Sequence, residues 1–362
     1  ALYRLTYLLL SYLCLDVIRD QIVPTLLQND RRLFFPLFRL HYQKQEIGRE
    51  HAKLPNEEKI MHGFSKVLAH LLSQEPATLA SAQGLHYSAL GAPGETNYAL
   101  ENALCSLYSV LPRLITRPAS APKTLDRLAI IVISSRRSDS HAKAARELLC
   151  VYGEVIGCMQ QADGSLLVEQ LKTFSVNERS ESAYTTPRTL IDEVRHCYQA
   201  GYRHILYVAK APYTSTVHFT RKEESEELFF MSPEIIQGVL KAFPDVMLYP
   251  VYTDRYYVVK VNPLVKKESL YVDDARELRT LMSDPNKSSV VFWNIMNGIE
   301  VPPGQDKKRH TLYNGVVSYT TLINMYDDPL YDQAIRNNLL DGGQPGSQRA
   351  AILDFLSYLH AV

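Results

Sequence analysis

Hydrophobic and polar positions repeat with different periods along this chain, and the change of period divides it. Up to about position 115 the apolar residues recur at helical spacing. Ile60, Met61, Phe64, Val67, Leu68, Leu71 and Leu72 form one stripe, opened by Asn56 as N-cap and by Glu57 and Glu58, whose charges suit the positive end of a helix dipole. Leu100, Leu104, Leu107, Tyr108 and Leu111 form a second stripe after Thr96, stopped by Pro112. The first apolar stretch, Leu2 to Leu15, is interrupted by Arg4 and is too short to span a bilayer. No small-residue cleavage site follows it, so it is expected as a buried N-terminal helix. The chain starts at Ala1 rather than Met, and its natural start is expected upstream.

From Leu128 the pattern changes. Leu128 to Ile133 is a continuous apolar run, the mark of a strand buried on both faces. A second strand spans Leu148 to Gln160 and turns at Ala162-Asp163-Gly164-Ser165 into a third, Leu166 to Phe174. An Asp-Gly pair between two apolar runs is a strong hairpin signal. A helix follows, with Thr186 as N-cap, Pro187 in its first turn and Gly201 just past its end; Leu190, Ile191, Val194 and Cys197 line one side. His204 to Ala209 is a fourth strand. Ser232-Pro233 opens a second helix bearing Ile235, Ile236, Val239 and Leu240, and Val246 to Val261 is a fifth, long strand. Further on, a helix is expected at 273–282, strands at Ser289–Trp293 and Gly315–Met325, and a closing helix from Gln348 to His360. The proline-bearing stretch Arg117 to Lys123 reads as a linker. It gives a helical region at 1–120 and a sheet domain at 121–362.

Composition narrows the class without naming a function. At 362 residues, with 46% apolar and 22% charged residues, the chain has the make-up of a soluble globular protein and is expected in the cytoplasm. Lysine plus arginine equals aspartate plus glutamate at 39 each, so overall charge does not announce a nucleic-acid binder. The five cysteines are scattered, without CxxC spacing, and read as buried free thiols in a reducing compartment. The histidines, His86, His196, His204 and His218 among them, lack partners at ligand spacing and read as structural. No hydrolase elbow, zinc-protease motif or kinase signature occurs. No cofactor is expected. The glycine-bearing turn Gly91 to Glu95 lacks the lysine and spacing of a P-loop and reads as an ordinary turn. Tyrosine is abundant at 23 residues, with Tyr249, Tyr252, Tyr256 and Tyr257 read as core packing on a half-buried strand.

Three strands, a helix, a strand, a helix and a strand is the element order of the ribonuclease H fold, which Argonaute and PIWI proteins also use. Local likenesses accompany it over 128–362. Gly201-Tyr-Arg-His-Ile-Leu-Tyr-Val208 resembles the segment where PIWI domains carry Arg-Asp-Gly after an apolar strand. Val246 to Val259 is similar to the PIWI strand that leads into a basic cluster. Ser289 to Trp293 sits where the family has a strand ending in an acid, and Gly315 to Asp327 resembles the strand after its glycine-rich turn. Tyr358-Leu-His360-Ala361 resembles the closing helix with its Tyr-Ala-His pattern. The resemblance implies an α/β fold, a ribonuclease H-like and PIWI-like mixed sheet flanked by helices, with a helical N-terminal region.

It also implies phosphodiester hydrolysis by two magnesium ions held by three or four carboxylates. The sequence departs from that pattern at each place. The first strand offers only apolar residues and then Ser134 and Ser135; the fourth has Ala209-Lys210-Ala211; after Val290 and Val291 come Phe292 and Trp293. Asp139, Glu154 and Asp254 are left as weak catalytic candidates, and no metal site is expected. Binding is expected to outlast catalysis. Arg136, Arg137, Lys210, Arg221, Lys222, Arg255 and Lys260 fall near strand ends, and Lys307, Lys308, Arg309 and His310 share a loop. Such groups hold phosphate backbones by counterion release and bidentate contacts, although Glu223, Glu224, Glu226 and Glu227 lie close in sequence. Tyr213, Tyr256, Tyr257 and Trp293 are candidates to stack bases. The expected function is an inactive, DNA- or RNA-binding PIWI-like subunit of a larger prokaryotic defence-type assembly, with a protein partner docked through 1–120. The alternatives are a pure interaction scaffold and a metal-dependent nuclease with relocated carboxylates.

Overall fold

A computed structural model describes residues 2–22, 24, 56–73, 80–81, 98–116, 125–137, 148–179, 188–210, 233–261, 270–272, 280–286, 289–301, 311–324, 335–340 and 347–361. These fall into two compact units, Ala1–Leu111 and Pro112–Val362.

The elements described in the first unit are helices. Helix α1 (Leu2–Val17) runs into a π-helical turn, Ile18–Ile22, and is followed by α2 (Asn56–Ser73) and α3 (Tyr98–Tyr108). Leu15 and Ile18 pack on Phe64 and Leu68, with Leu71 and Leu72 beside them, so the stripe on α2 does bury the end of α1. The rest of α1 corrects the expectation of a buried helix: Leu5, Leu8, Leu9, Leu10, Tyr12 and Leu13 are all exposed. The cause is in the sequence. Helix α1 is apolar around its whole circumference, and one stripe on α2 covers only one side of it. On α3 the expected apolar side is likewise turned outward, with Leu104 and Tyr108 exposed and Ala103 buried.

Among its described residues the second unit has nine strands: β1 (Arg113–Ile115), β2 (Arg127–Arg137), β3 (Leu148–Gln160), β4 (Leu166–Arg179), β5 (His204–Lys210), β6 (Met247–Val261), β7 (Leu270–Val272), β8 (Ser289–Val301) and β9 (Thr311–Leu322). They form one sheet in the order β1-β4-β3-β2-β5-β6-β9-β8-β7. Strands β2, β3 and β4 are an antiparallel meander. Strands β5 and β6 add to the far side of β2, parallel to it and to each other. This is the ribonuclease H-like arrangement, and β9 and β8 extend it antiparallel beyond β6. Helices α4 (Arg188–Gln199), α5 (Pro233–Ala242) and α6 (Gln348–Ala361) flank the sheet.

Local chemistry explains the connections. In the β3–β4 turn the Asp163 carboxylate accepts from the backbone N–H of Ser165 at 2.9 Å, and Gly164 takes φ +88°. Gly201 ends α4, also at φ +88°, as a C-capping glycine must. The turns into β5 and β6 are tied together where Arg203 Nε and the Tyr198 hydroxyl both donate to Asp245, at 3.1 and 3.2 Å. Thr186, Pro187, Ser232, the 117–123 linker, the Gly91–Glu95 turn and most of the expected 273–282 helix lie outside the described residues.

The two faces of the sheet differ. Leu190, Val194 and Cys197 of α4 are buried, and Lys172 of β4 donates to Glu193 of α4, so α4 lies on the face bearing Ile131, Ile133 and Val155. Helix α5 joins it there, with Phe243, the residue just past its end, against Tyr198 at 5.3 Å between ring centroids. On the opposite face α6 covers the β8–β9 side: the Tyr319 hydroxyl and His360 Nε2 are 2.7 Å apart, and the Trp293 ring lies edge-on to His360. The same face over β2 and β3 is open toward the carboxyl end of β2, where Val132 is 40% exposed. That corrects the expectation that β2 is buried throughout: its apolar run is covered on both sides except where no described helix reaches.

The thiols also divide. Cys158 and Cys197 are buried as expected, and burial pushes both up to about 12. Cys105 is exposed, against the expectation.

Candidate functional site

In an open α/β sheet, ligands gather outside the carboxyl ends of the parallel strands, where the chain leaves one strand to one side and the next parallel strand lies on the other. Here that point is between β2, whose chain departs into β3 and β4, and β5 on its other side. Register defines the edge. Ile133 pairs with Ala209, and Ala209 with Tyr252, across three adjacent parallel strands. One residue further, Lys210 ends β5 opposite Thr253. Beyond that end β2 and β6 both continue, into Ser135-Arg136-Arg137 and Asp254-Arg255. Positions 136 and 255 are each three residues past the Ile133–Ala209–Tyr252 row, two strand spacings apart, on the order of 10 Å. The alternation of a strand puts 136, 210 and 255 on one face of the sheet, the face of Val132. Among the described residues, the edge therefore carries four cationic positions, 136, 137, 210 and 255, and one carboxylate position, 254.

The other expected contributors do not join it. Lys260 stands five residues beyond Arg255 along β6, roughly 16 Å further out. Arg221, Lys222, Lys307, Lys308, Arg309 and His310 lie outside the described residues, as does Tyr213. Trp293, a candidate for stacking, is instead wholly buried against Tyr319 and His360. It follows a bulge between Val291 and Trp293 that turns it into the core.

Among the described residues, the two candidate carboxylate positions do not come together. The middle of β2, where a two-metal nuclease needs an acid, is Val132, flanked in register by Glu154 and Val208. Glu154 shares the face of Val132, whereas position 254 alternates to the opposite face and lies three strand spacings across and three residues along, roughly 17 Å away. One metal cannot bridge them. Asp139 lies outside the described residues, and among the described residues no three histidine, cysteine or acidic side chains come together as ligands.

One feature escaped the sequence reading. On β3, Tyr152 is 42% exposed and pairs with Ser134 on the open face; it neighbours Val132, Cys150 and Glu154, with Ser175 of β4 on its far side. Solvent reaches Glu154, yet the surrounding strands desolvate its carboxyl and hold it above the usual carboxylate range. The signal lay in the residues: alternation along β3 puts Tyr152 opposite the apolar Val151 and Val155. Only the register shows that no described helix covers it.

No protein-family model matches the sequence, and no curated protein matches it. Among solved structures the chain is similar to the Marinitoga piezophila Argonaute, determined with a 5′-OH guide RNA and target DNA, at 11% identity over 62% of this chain and 29% of that one, TM-score 0.21. It is also similar to the NurA nuclease of Sulfolobus solfataricus, at 11% identity over 66% of this chain and 85% of that one, TM-score 0.22. The chain thus spans less than a third of the Argonaute it matches. The fold assignment rests on the strand order and pairing above.

Proposed function

We propose that this protein binds nucleic acid at the carboxyl edge of β2, β5 and β6 and does not cleave it: a PIWI-like pseudo-nuclease. The observation that supports the reading is the content of that edge. Where metal-dependent relatives of this fold need convergent acids, the positions are Val132, Ser134, Ser135, Arg136, Arg137, Ala209, Lys210 and Arg255, with Asp254 as one acid among them, on the opposite face from 136, 210 and 255. Cations at this spacing hold phosphates by releasing condensed counterions, and the contacts carry no sequence preference of their own. A cytoplasmic, defence-type assembly in which a partner supplies the effector chemistry is the setting that suits such a subunit. Fluorescence anisotropy with short labelled DNA and RNA across a salt series tests it. Binding at low salt that weakens linearly in log–log form is the expected result, and no binding at low salt overturns it.

A second reading, a protein-interaction scaffold, draws on α1. An exposed helix with Leu5, Leu8, Leu9, Leu10, Tyr12 and Leu13 outward offers an apolar surface of the kind that protein partners cover. Under this reading a protein encoded beside this one co-purifies with it, and Leu9→Lys with Leu13→Lys abolishes the co-purification while leaving nucleic-acid binding intact.

A further inference from the structure

The open face of the sheet adjoins the edge that carries positions 136, 210 and 255. We infer that the ligand is single-stranded, with unpaired bases laid on the open face and Tyr152 as their stacking platform. This deepens the binding reading above and rests on it.

Three observations carry the inference. The first is exposure: Tyr152 and Val132 are 42% and 40% exposed on adjacent strands of one face. An aromatic ring presented on a sheet is the device by which sequence-tolerant binders hold unpaired bases, because every base has a π-face. The second is placement. Tyr152 pairs with Ser134, and its strand neighbour Cys150 pairs with Arg136, so the platform lies one row from a cationic position on the same face. Phosphates can sit along the edge while their bases turn inward over β3. The third is Glu154, on the same face and one row inward of Tyr152. An ionised carboxylate there repels a phosphate backbone but tolerates a neutral base. The floor therefore repels the phosphate backbones that flank a duplex, whose base faces are stacked inside, and accepts a strand whose base faces are free. Cys150 Sγ and Ser175 Oγ, 3.7 Å apart, close the far side with small uncharged groups.

The test compares a single-stranded oligonucleotide with a duplex of the same length, for the wild-type chain, Tyr152→Ala, Tyr152→Phe and Arg136→Gln. The wild type is expected to bind the single strand at least tenfold more tightly. Tyr152→Ala is expected to lose about tenfold on the single strand with an unchanged salt slope, the signature of one lost base–aromatic stack. Tyr152→Phe retains binding, and Arg136→Gln flattens the slope by about 0.7. If Tyr152→Ala binds the single strand as tightly as wild type, or the wild type prefers the duplex, the stacking inference falls while the cationic-edge reading stands. If the wild type binds neither form at low salt, both fall.

Discussion

Lys172 Nζ donates to Glu193 Oε1 at 2.8 Å, joining β4 to the inner side of α4, and Glu193 is 3% exposed. The lysine keeps 40% of its side chain in solvent, and the second glutamate oxygen, Oε2, has no hydrogen-bond partner among the described residues. A buried carboxylate with one partner is sensitive to losing it. Lys172→Met is expected to destabilise the second unit by about 1–3 kcal/mol in urea unfolding, the half-exposed lysine keeping the effect at the low end for a buried pair. Lys172→Met combined with Glu193→Leu is expected to recover most of that loss. Equal destabilisation by the single and double variants would show that the pair is not what holds α4 down.

Gly153 has no room for a side chain. A Cβ there would stand 2.0 Å from the Val132 carbonyl oxygen and 2.6 Å from the Phe174 ring. Because the obstacle is backbone, Gly153→Ala is expected to cost about 3 kcal/mol or more in thermal or denaturant unfolding. Gly164→Ala is the control: it meets nothing within 4 Å but keeps φ +88°, and is expected to cost about 1 kcal/mol from backbone strain alone. Similar losses at both positions would contradict the close approach of β3, β2 and Phe174.

His204 and Tyr249 lie 2.8 Å apart through Nδ1 and the hydroxyl, and burial holds the imidazole below its ordinary pKa. The folded protein therefore binds the His204 proton less readily than the unfolded chain. Stability from this group is present above the ordinary histidine pKa of about 6.5 and is lost as pH falls through the depressed folded value. Glu154 and Glu178 are shifted upward by burial, so their contribution has the opposite sign and grows as pH falls toward the carboxylate range. The melting temperature is expected to drop between pH 7 and pH 5, and His204→Gln is expected to remove most of that slope, though at lower overall stability. A slope unchanged in His204→Gln assigns the pH dependence elsewhere.

If Arg136, Lys210 and Arg255 each neutralise one phosphate, replacing all three with glutamine lowers the magnitude of the log–log salt slope on single strands by about 2. Glu154→Gln is expected to do the reverse for affinity, tightening binding near neutral pH, and to narrow the preference for the single strand over the duplex. A triple variant with an unaltered slope places the phosphate contacts away from this edge.

The core of the fold was legible because each of its elements carries a local signal. The Asp163-Gly164 turn, Gly201 after α4 and the apolar stripes of α4 and α5 are short-range facts, and β3 runs from Leu148 to Gln160 as expected. Strands β1 and β7 were not legible: three residues each at the margins of the sheet carry no period to read. Nor was the exposure of Val132 or of α1, because coverage is decided by partners distant in sequence. The site divides the same way. That acids were missing from β2 and β5 could be read residue by residue. Only register shows that Glu154 and position 254 belong to different faces, and that positions 136, 210 and 255 share one.

Strand β2 joins two kinds of neighbour, and this gives the chain a timetable. Its antiparallel partner β3 starts eleven residues after β2 ends, whereas the parallel pairing of Ala129 with Ile205 closes a loop of some 75 residues. Short closures form early and long ones late. On the ribosome the β2–β3–β4 meander can assemble while β5 is still unsynthesised, so for that interval the edge of β2 destined for β5 is bare.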